Sequence, residues 1–213
     1  MKATHFSEKD LLQMESRSRA AFINSLHGFK SASLIGTIDA KGKTNLAIFN
    51  SVFHLGANPA LVGFISRPDS AERHTLDNIL ETKFYTINHI NKDIYLLAHQ
   101  TSARYPKQVS EFEATGLTEE YTTLLQAPYV KESHIKYGLS FAEKHELKIN
   151  DTILIIGKIE EIIIPEHCLL THGGIDIEKA ETIAISGLDG YHSTQLLSRL
   201  SYAKPDKLSE ELK

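Results

Sequence analysis

Between residues 34 and 65 three β-type segments follow one another with only turns between them, and nothing else in the sequence narrows the fold as far. Leu34-Ile35-Gly36-Thr37-Ile38-Asp39 is strand-like. Ala40-Lys41-Gly42-Lys43 has turn chemistry, with Gly42 able to take a positive φ. Residues 44–56, TNLAIFNSVFHLG, read as a second, long strand, which makes a strong hairpin signal. Asn58-Pro59 breaks the chain, and Ala60-Leu61-Val62-Gly63-Phe64-Ile65 supplies the third strand.

Further strands are expected at 83–90 (KFYTINHI), at 134–145 and at 152–164. The last carries Ile153, Ile155, Ile156, Ile159, Ile162, Ile163 and Ile164, β-branched side chains that suit a pleated surface. Gly157 inside it marks a bulge or bend. The helices are short. Ser7 caps an N-terminal helix over 7–27, whose Leu12, Ala20, Ile23 and Leu26 form a stripe directed at a core. Others are expected at 74–82 and 93–99, with helical turns at 111–115 and 119–125. At least six strands with only short helices predict a mainly β barrel with appended helices. The absence of strict βαβ alternation counts against a doubly wound parallel sheet.

Composition bounds the function classes. A chain of 213 residues, 41% of them hydrophobic, suffices for a single core, so residues 1–213 are expected to form one domain. A formal net charge of -4 argues against a nucleic-acid partner. The lone Cys168 rules out an internal disulfide and fits a reducing compartment. No apolar run reaches the roughly 20 residues needed to span a bilayer. The N-terminus lacks signal-peptide character, so a cytoplasmic location without a membrane partner is expected. The tail from 188 to 213 is polar but interspersed with Tyr191, Leu196, Leu197, Leu200 and Tyr202, a set expected to pack on another surface.

Several catalytic signatures are missing: neither phosphate loop, no G-x-S-x-G elbow, and no zinc-protease motif, since His145-Glu146 lacks its second histidine. No metal site is expected. What remains is a polar series around the first hairpin: Asn45, Asn50 and Ser51, then Ser66 and Arg67, then Ser70, Arg73, His74, Thr75 and Asn78 at a helix start. A helix N-terminus offers unpaired N–H donors and positive dipole, and arginine offers fork-shaped donors. Together they suit a phosphate. The same residues are equally consistent with a strand bend at Asn50-Ser51 and a solvated loop charge at Arg67.

The stretches Asn45-Leu46-Ala47-Ile48-Phe49-Asn50-Ser51, Asn58-Pro59-Ala60-Leu61-Val62-Gly63-Phe64, Arg73-His74-Thr75-Leu76-Asp77-Asn78-Ile79 and Tyr85-Thr86-Ile87-Asn88, in this order and spacing, resemble the flavin reductase-like, FMN-binding split-barrel family, which includes the flavoredoxins. Two departures are Asn50, where serine or threonine is common, and Ala60 in place of a second proline. The resemblance implies a six-stranded antiparallel split barrel and a homodimer with FMN at the subunit interface. It implies an FMN-dependent oxidoreductase that draws on NADH or NADPH and serves a small-molecule or protein redox partner. A non-enzymatic FMN electron carrier is the alternative. Carried over, Ile48, Phe49, Asn50 and Ser51 follow the flavin ring and ribityl chain, with Asn45 on the same strand. Ser66 and Arg67 approach the phosphate, Arg73, His74 and Thr75 close over it, and Ser102 and Ala103 lie near the ring. No strong acid or base is expected on the ring-binding strand; His54 and His145 are the histidines that would change that expectation.

Overall fold

The protein is described by a computed structural model that covers residues 2–67 and 74–212. Seven strands form one antiparallel sheet: β1 (Ser33–Ile38), β2 (Thr44–Phe49), β3 (Phe53–Ala57), β4 (Ala60–Ser66), β5 (Phe84–His89), β6 (Lys136–Leu147) and β7 (Thr152–Ile163). Their order across the sheet is β2-β1-β5-β6-β7-β4-β3. The two edges, β2 and β3, are consecutive in the chain and separated only by residues 50–52. Such a sheet cannot stay open, because its edges must meet at that end. It curls into a barrel whose seam lies between β2 and β3, where no ladder pairs them.

The expected single strand over 44–56 is therefore two, and the sheet holds seven strands rather than six. The reason is local. At the bend, the Ser51 hydroxyl donates to the Ile65 carbonyl at 3.0 Å and accepts from the Ile65 N–H at 3.3 Å. One side chain thus takes the place of a backbone rung while the chain turns a corner. The first hairpin turns as expected: Gly42 has φ +83, and the Asp39 carboxylate accepts from the N–H groups of Lys41 and Lys43. The register of β6 with β7 shifts at Ile156/Gly157, so the bulge expected at Gly157 is present; a Cβ there would lie 2.0 Å from the Tyr85 hydroxyl.

Alternation along β1 divides the core. Ile35 faces the barrel interior with Val62, Phe64, Tyr85, Ile87, Leu139, Ile153 and Ile155. Its neighbour Leu34 faces outward and packs with Leu46, Ile90, Phe112, Val130 and Ile185. A strand buried on both faces needs covering elements, and short ones supply the cover. Helix α3 (His74–Thr82), the third after α1 (Glu8–Gln13) and α2 (Ser16–Ser25), sends Leu76 and Ile79 into the interior. The segments Tyr95–Gln100 and Glu111–Thr115, both helical, and the strand Ala184–Ser186 cover the outer cluster.

Three further expectations change. Residues 7–27 form two helices, Glu8–Gln13 and Ser16–Ser25, interrupted at Met14 and Glu15, and neither buries a residue; the Leu12–Leu26 stripe stays at the surface. The Glu15 carboxylate accepts from the Ser18 N–H and starts the second helix, which is why one helix becomes two. Residues 119–125 are not helical: Glu119–Glu120 pairs with Tyr129–Val130 as a small ladder. Tyr191 is not an exposed tail residue. It lies on the strand Gly190–His192, paired with Ala184–Ser186, and packs on the outer core cluster. The rest of the tail is exposed, Leu197 at 98%, Leu208 at 91% and Tyr202 at 90%. Among the described residues no helix is long and apolar enough to cross a membrane.

Candidate functional site

A cleft of about 800 Å³ opens beside the seam. Eleven of the twelve residues singled out from the sequence line it: Asn45, Ile48, Phe49, Asn50, Ser51, Ser66, Arg67, His74, Thr75, Ser102 and Ala103. Arg73 lies outside the described residues.

The fold explains the convergence. Strand β2 is an edge, so every second N–H along it points away from β1. The Leu46 N–H is one of these, and the Glu111 carboxylate accepts it at 2.9 Å. The next outward-facing donor is the N–H of Ile48, and Ile48 lines the cleft. Beside it, Asn45 donates to the Thr75 hydroxyl at 3.0 Å, tying the N-terminal turn of α3 to the strand. Asn78 donates to Thr37 at 3.1 Å and ties the helix to the neighbouring strand β1 one turn later. These two bonds aim the N-terminus of α3 into the cleft, where Arg67 also stands at the end of β4.

A second wall comes from sequence-distant segments. The Asn50 amide donates to the Gly187 carbonyl at 3.2 Å, and the Lys30 ammonium donates to the same oxygen at 3.1 Å. Burial, and the like charge of Arg67, lower the pKa of Lys30. Gly187 has φ +59 and turns the chain so that Leu188, Asp189 and Tyr191 reach the cleft. His99 and the Tyr191 hydroxyl form a hydrogen bond through Nδ1 at 2.9 Å, and the Tyr95 and Tyr191 rings pack with centroids 5.5 Å apart.

The cleft is richer in titratable groups than expected. Glu111 is buried and its pKa is raised, first by burial, with the Leu46 N–H and the charges of His74 and Lys43 opposing. His99, Arg104, Tyr105 and Asp189 also line it and were missed. His54 and His145, the histidines flagged from sequence, lie on exposed strand segments and do not line it. The segment carrying His99 to Glu111 gave almost no periodic signal, and Tyr191 meets His99 across 92 residues. Only the phosphate-type series around β2, β4 and α3 was local enough to read.

A family model for the flavin reductase like domain matches residues 27–175. The chain belongs to the flavin reductase-like family. A solved structure provisionally named a flavin reductase with split barrel domain, from Shewanella frigidimarina NCIMB 400, is 53% identical; the match covers 94% of this chain and 100% of that one, with a TM-score of 0.91. Nitrilotriacetate monooxygenase component B from Bacillus cereus shares 18% identity over 94% of this chain and 100% of its own, with a TM-score of 0.81. Flavoredoxin of Desulfovibrio vulgaris (Miyazaki F) shares 20% identity over 84% and 92% of the two chains, with a TM-score of 0.69. The last two likenesses concern the fold, and they show that the flavin reductase-like split barrel persists while most side chains change.

Proposed function

We propose that this chain is an FMN-dependent oxidoreductase that takes electrons from NADH or NADPH and passes them to an acceptor, and that it works as a homodimer. The observation that carries the reading is the meeting of three anion- and amide-reading features in one cleft: the outward Ile48 N–H of β2, the N-terminus of α3, and Arg67. Main-chain donors suit the carbonyl and nitrogen edge of a flavin ring. A helix N-terminus with a guanidinium suits a phosphate monoester. The names of the structurally similar proteins point the same way.

FMN, when bound, supplies the redox chemistry itself. The chain's residues bind and orient. Ile48, Phe49, Asn50 and Ser51 run along the ring and ribityl chain. Ser66, Arg67, His74 and Thr75 hold the phosphate end, and Arg73 belongs to the same cradle by sequence. Ser102 and Ala103 border the ring. Asn45 acts through Thr75, and Asn50 also holds the second wall through the Gly187 carbonyl.

The test is a paired titration with FMN and riboflavin. Arg67→Ala should weaken FMN by roughly 10–150-fold, the equivalent of one charge-assisted hydrogen bond of about 1.5–3 kcal/mol, and leave riboflavin nearly unchanged. Anaerobic NADH or NADPH should then bleach the visible flavin absorbance. No flavin uptake, or equal weakening of both flavins, overturns the cradle. Flavin that is taken up but bleached only by a reduced redox protein replaces the enzyme with an electron carrier.

A further inference from the structure

Lys30 is a half-buried cation to which the proposed cofactor binding gives no part. It lies on the two-residue strand Lys30–Ser31, which pairs with Ala184–Ser186 and sets Lys30 opposite Ile185. Its ammonium donates to two main-chain oxygens, the Gly187 carbonyl at 3.1 Å and the Asn24 carbonyl at 3.4 Å. Among the described residues no carboxylate pairs with it, and the nearest charge that acts on it is the like charge of Arg67. An ammonium held half out of water without a counter-ion is not a surface ion pair. What its position provides is the grip on two carbonyls.

Both oxygens sit where the chain changes direction. Asn24 is in the last turn of α2, which carries no basic residue of its own, so Lys30 supplies the cation that a helix C-terminus favours. Gly187 has φ +59 and starts the turn whose Leu188, Asp189 and Tyr191 form the second wall of the cleft. The Asn50 amide, from the bend after β2, donates to the same Gly187 oxygen at 3.2 Å. Ser31 donates to the Val52 carbonyl in that bend at 3.1 Å. The strand Lys30–Ser31 therefore holds the bend through Ser31 and the second wall through Lys30. The spacing of the two walls is set by one ammonium, one amide and one hydroxyl, and the ammonium makes the strongest of these bonds because it is charged.

We infer that Lys30 is a positioning residue of the cleft: together with the Asn50 amide it fixes the Gly187 turn, and so sets how closely the wall at 188–191 stands to the ring system of the guest. The inference rests on the cofactor reading, which lays the flavin ring along residues 48–51. Lys30 acts through Gly187 and not by contact with the guest. The ring is common to FMN and riboflavin, so Lys30 serves both equally, which separates its role from that of Arg67 at the phosphate.

The experiment titrates FMN and riboflavin into the full chain, first unaltered and then as Lys30→Met and Lys30→Arg. Lys30→Met should weaken both flavins alike, by about 5–30-fold. The visible band of the bound flavin, whose shape reports the surroundings of the ring, should move toward that of free flavin. Lys30→Arg keeps the charge and the donors and should recover most of both effects. The urea transition of each flavin-free variant is recorded alongside, so that flavin is titrated only into folded protein. If Lys30→Met does not fold, Lys30→Gln takes its place, with a loss for both flavins expected. Absence of flavin uptake by the unaltered protein overturns the cofactor reading and the positioning role with it. With flavin taken up by the unaltered protein, three results overturn the positioning role alone. One is a lower urea midpoint with flavin affinity unchanged, which makes Lys30 a residue of stability only. Another is a loss for FMN with riboflavin unchanged, which makes it a charge at the phosphate. The third is Lys30→Arg binding flavin no better than the variant without the charge.

Discussion

At the scale of the residue, His89 couples this fold to pH. It sits at the end of β5, its Nδ1 3.2 Å from the Thr182 hydroxyl and its ring edge-on to Tyr137. Burial pulls its pKa down to about 4. An unfolded histidine titrates near 6.5, so between the two values the unfolded chain binds a proton that the folded chain refuses. Stability is therefore full above about pH 6.5 and falls as pH drops toward 4. Part of the ring still reaches the surface, which caps the loss at about 3 kcal/mol. Urea midpoints measured from pH 7 to pH 4.5 should show this slope, and His89→Gln should flatten it. An unchanged slope in the variant would assign the pH dependence to other groups.

At the scale of the element, the bend at residues 50–52 separates an ordinary hairpin ladder from a barrel. Ser51→Ala removes both bonds to Ile65 and leaves a half-buried carbonyl and N–H without their partner. The expected cost is about 1–2 kcal/mol, read as a lower urea midpoint with an unchanged m value, and Ser51→Thr should restore most of it. A loss below about 0.3 kcal/mol would mean that water replaces the rung and the corner holds without it. This element also shows how far the sequence is legible. The strands could be read because Leu34-Ile35, the 152–164 isoleucines and the turn at Gly42 each carry a local pattern. The corner at Asn50-Ser51 is legible only as one of two open readings, a strand bend or part of a polar cradle, because the partners that fix it lie at Ile65 and Gly187. The N-terminal stripe differs for the opposite reason: Leu12, Ala20, Ile23 and Leu26 have helical spacing, but only Ile23 is partly covered and the other three stay exposed. The cleft divides in the same way. Asn45, Ser66, Arg67 and Thr75 follow from strand ends and a helix start, whereas Glu111 reaches Leu46 across 65 residues and Tyr191 enters from the last quarter of the chain.

At the scale of the whole molecule, the exposed apolar residues concentrate toward the C-terminus. Leu196, Leu197, Leu200, Tyr202 and Leu208 are left largely uncovered by the barrel. We expect sedimentation at micromolar protein to report the mass of two chains, and Leu197→Asp combined with Leu208→Asp to shift it toward one. A single-chain mass for the unaltered protein would leave the tail without this role. The seam between β2 and β3 has a separate consequence for how the protein tolerates change over generations. The Ile48 N–H that faces the cleft belongs to the main chain, so replacing Ile48 by valine, leucine or threonine alters the lining but keeps the donor. Only proline deletes it. Under the proposed function, a pocket that holds its cofactor through an unfinished sheet edge is insulated from mutational drift on that side, while the side chains of the second wall, Tyr191 among them, can be exchanged. The same reading implies that proline should be excluded from the outward-facing positions of β2 in chains that hold a cofactor this way, whatever side chains line the opposite wall.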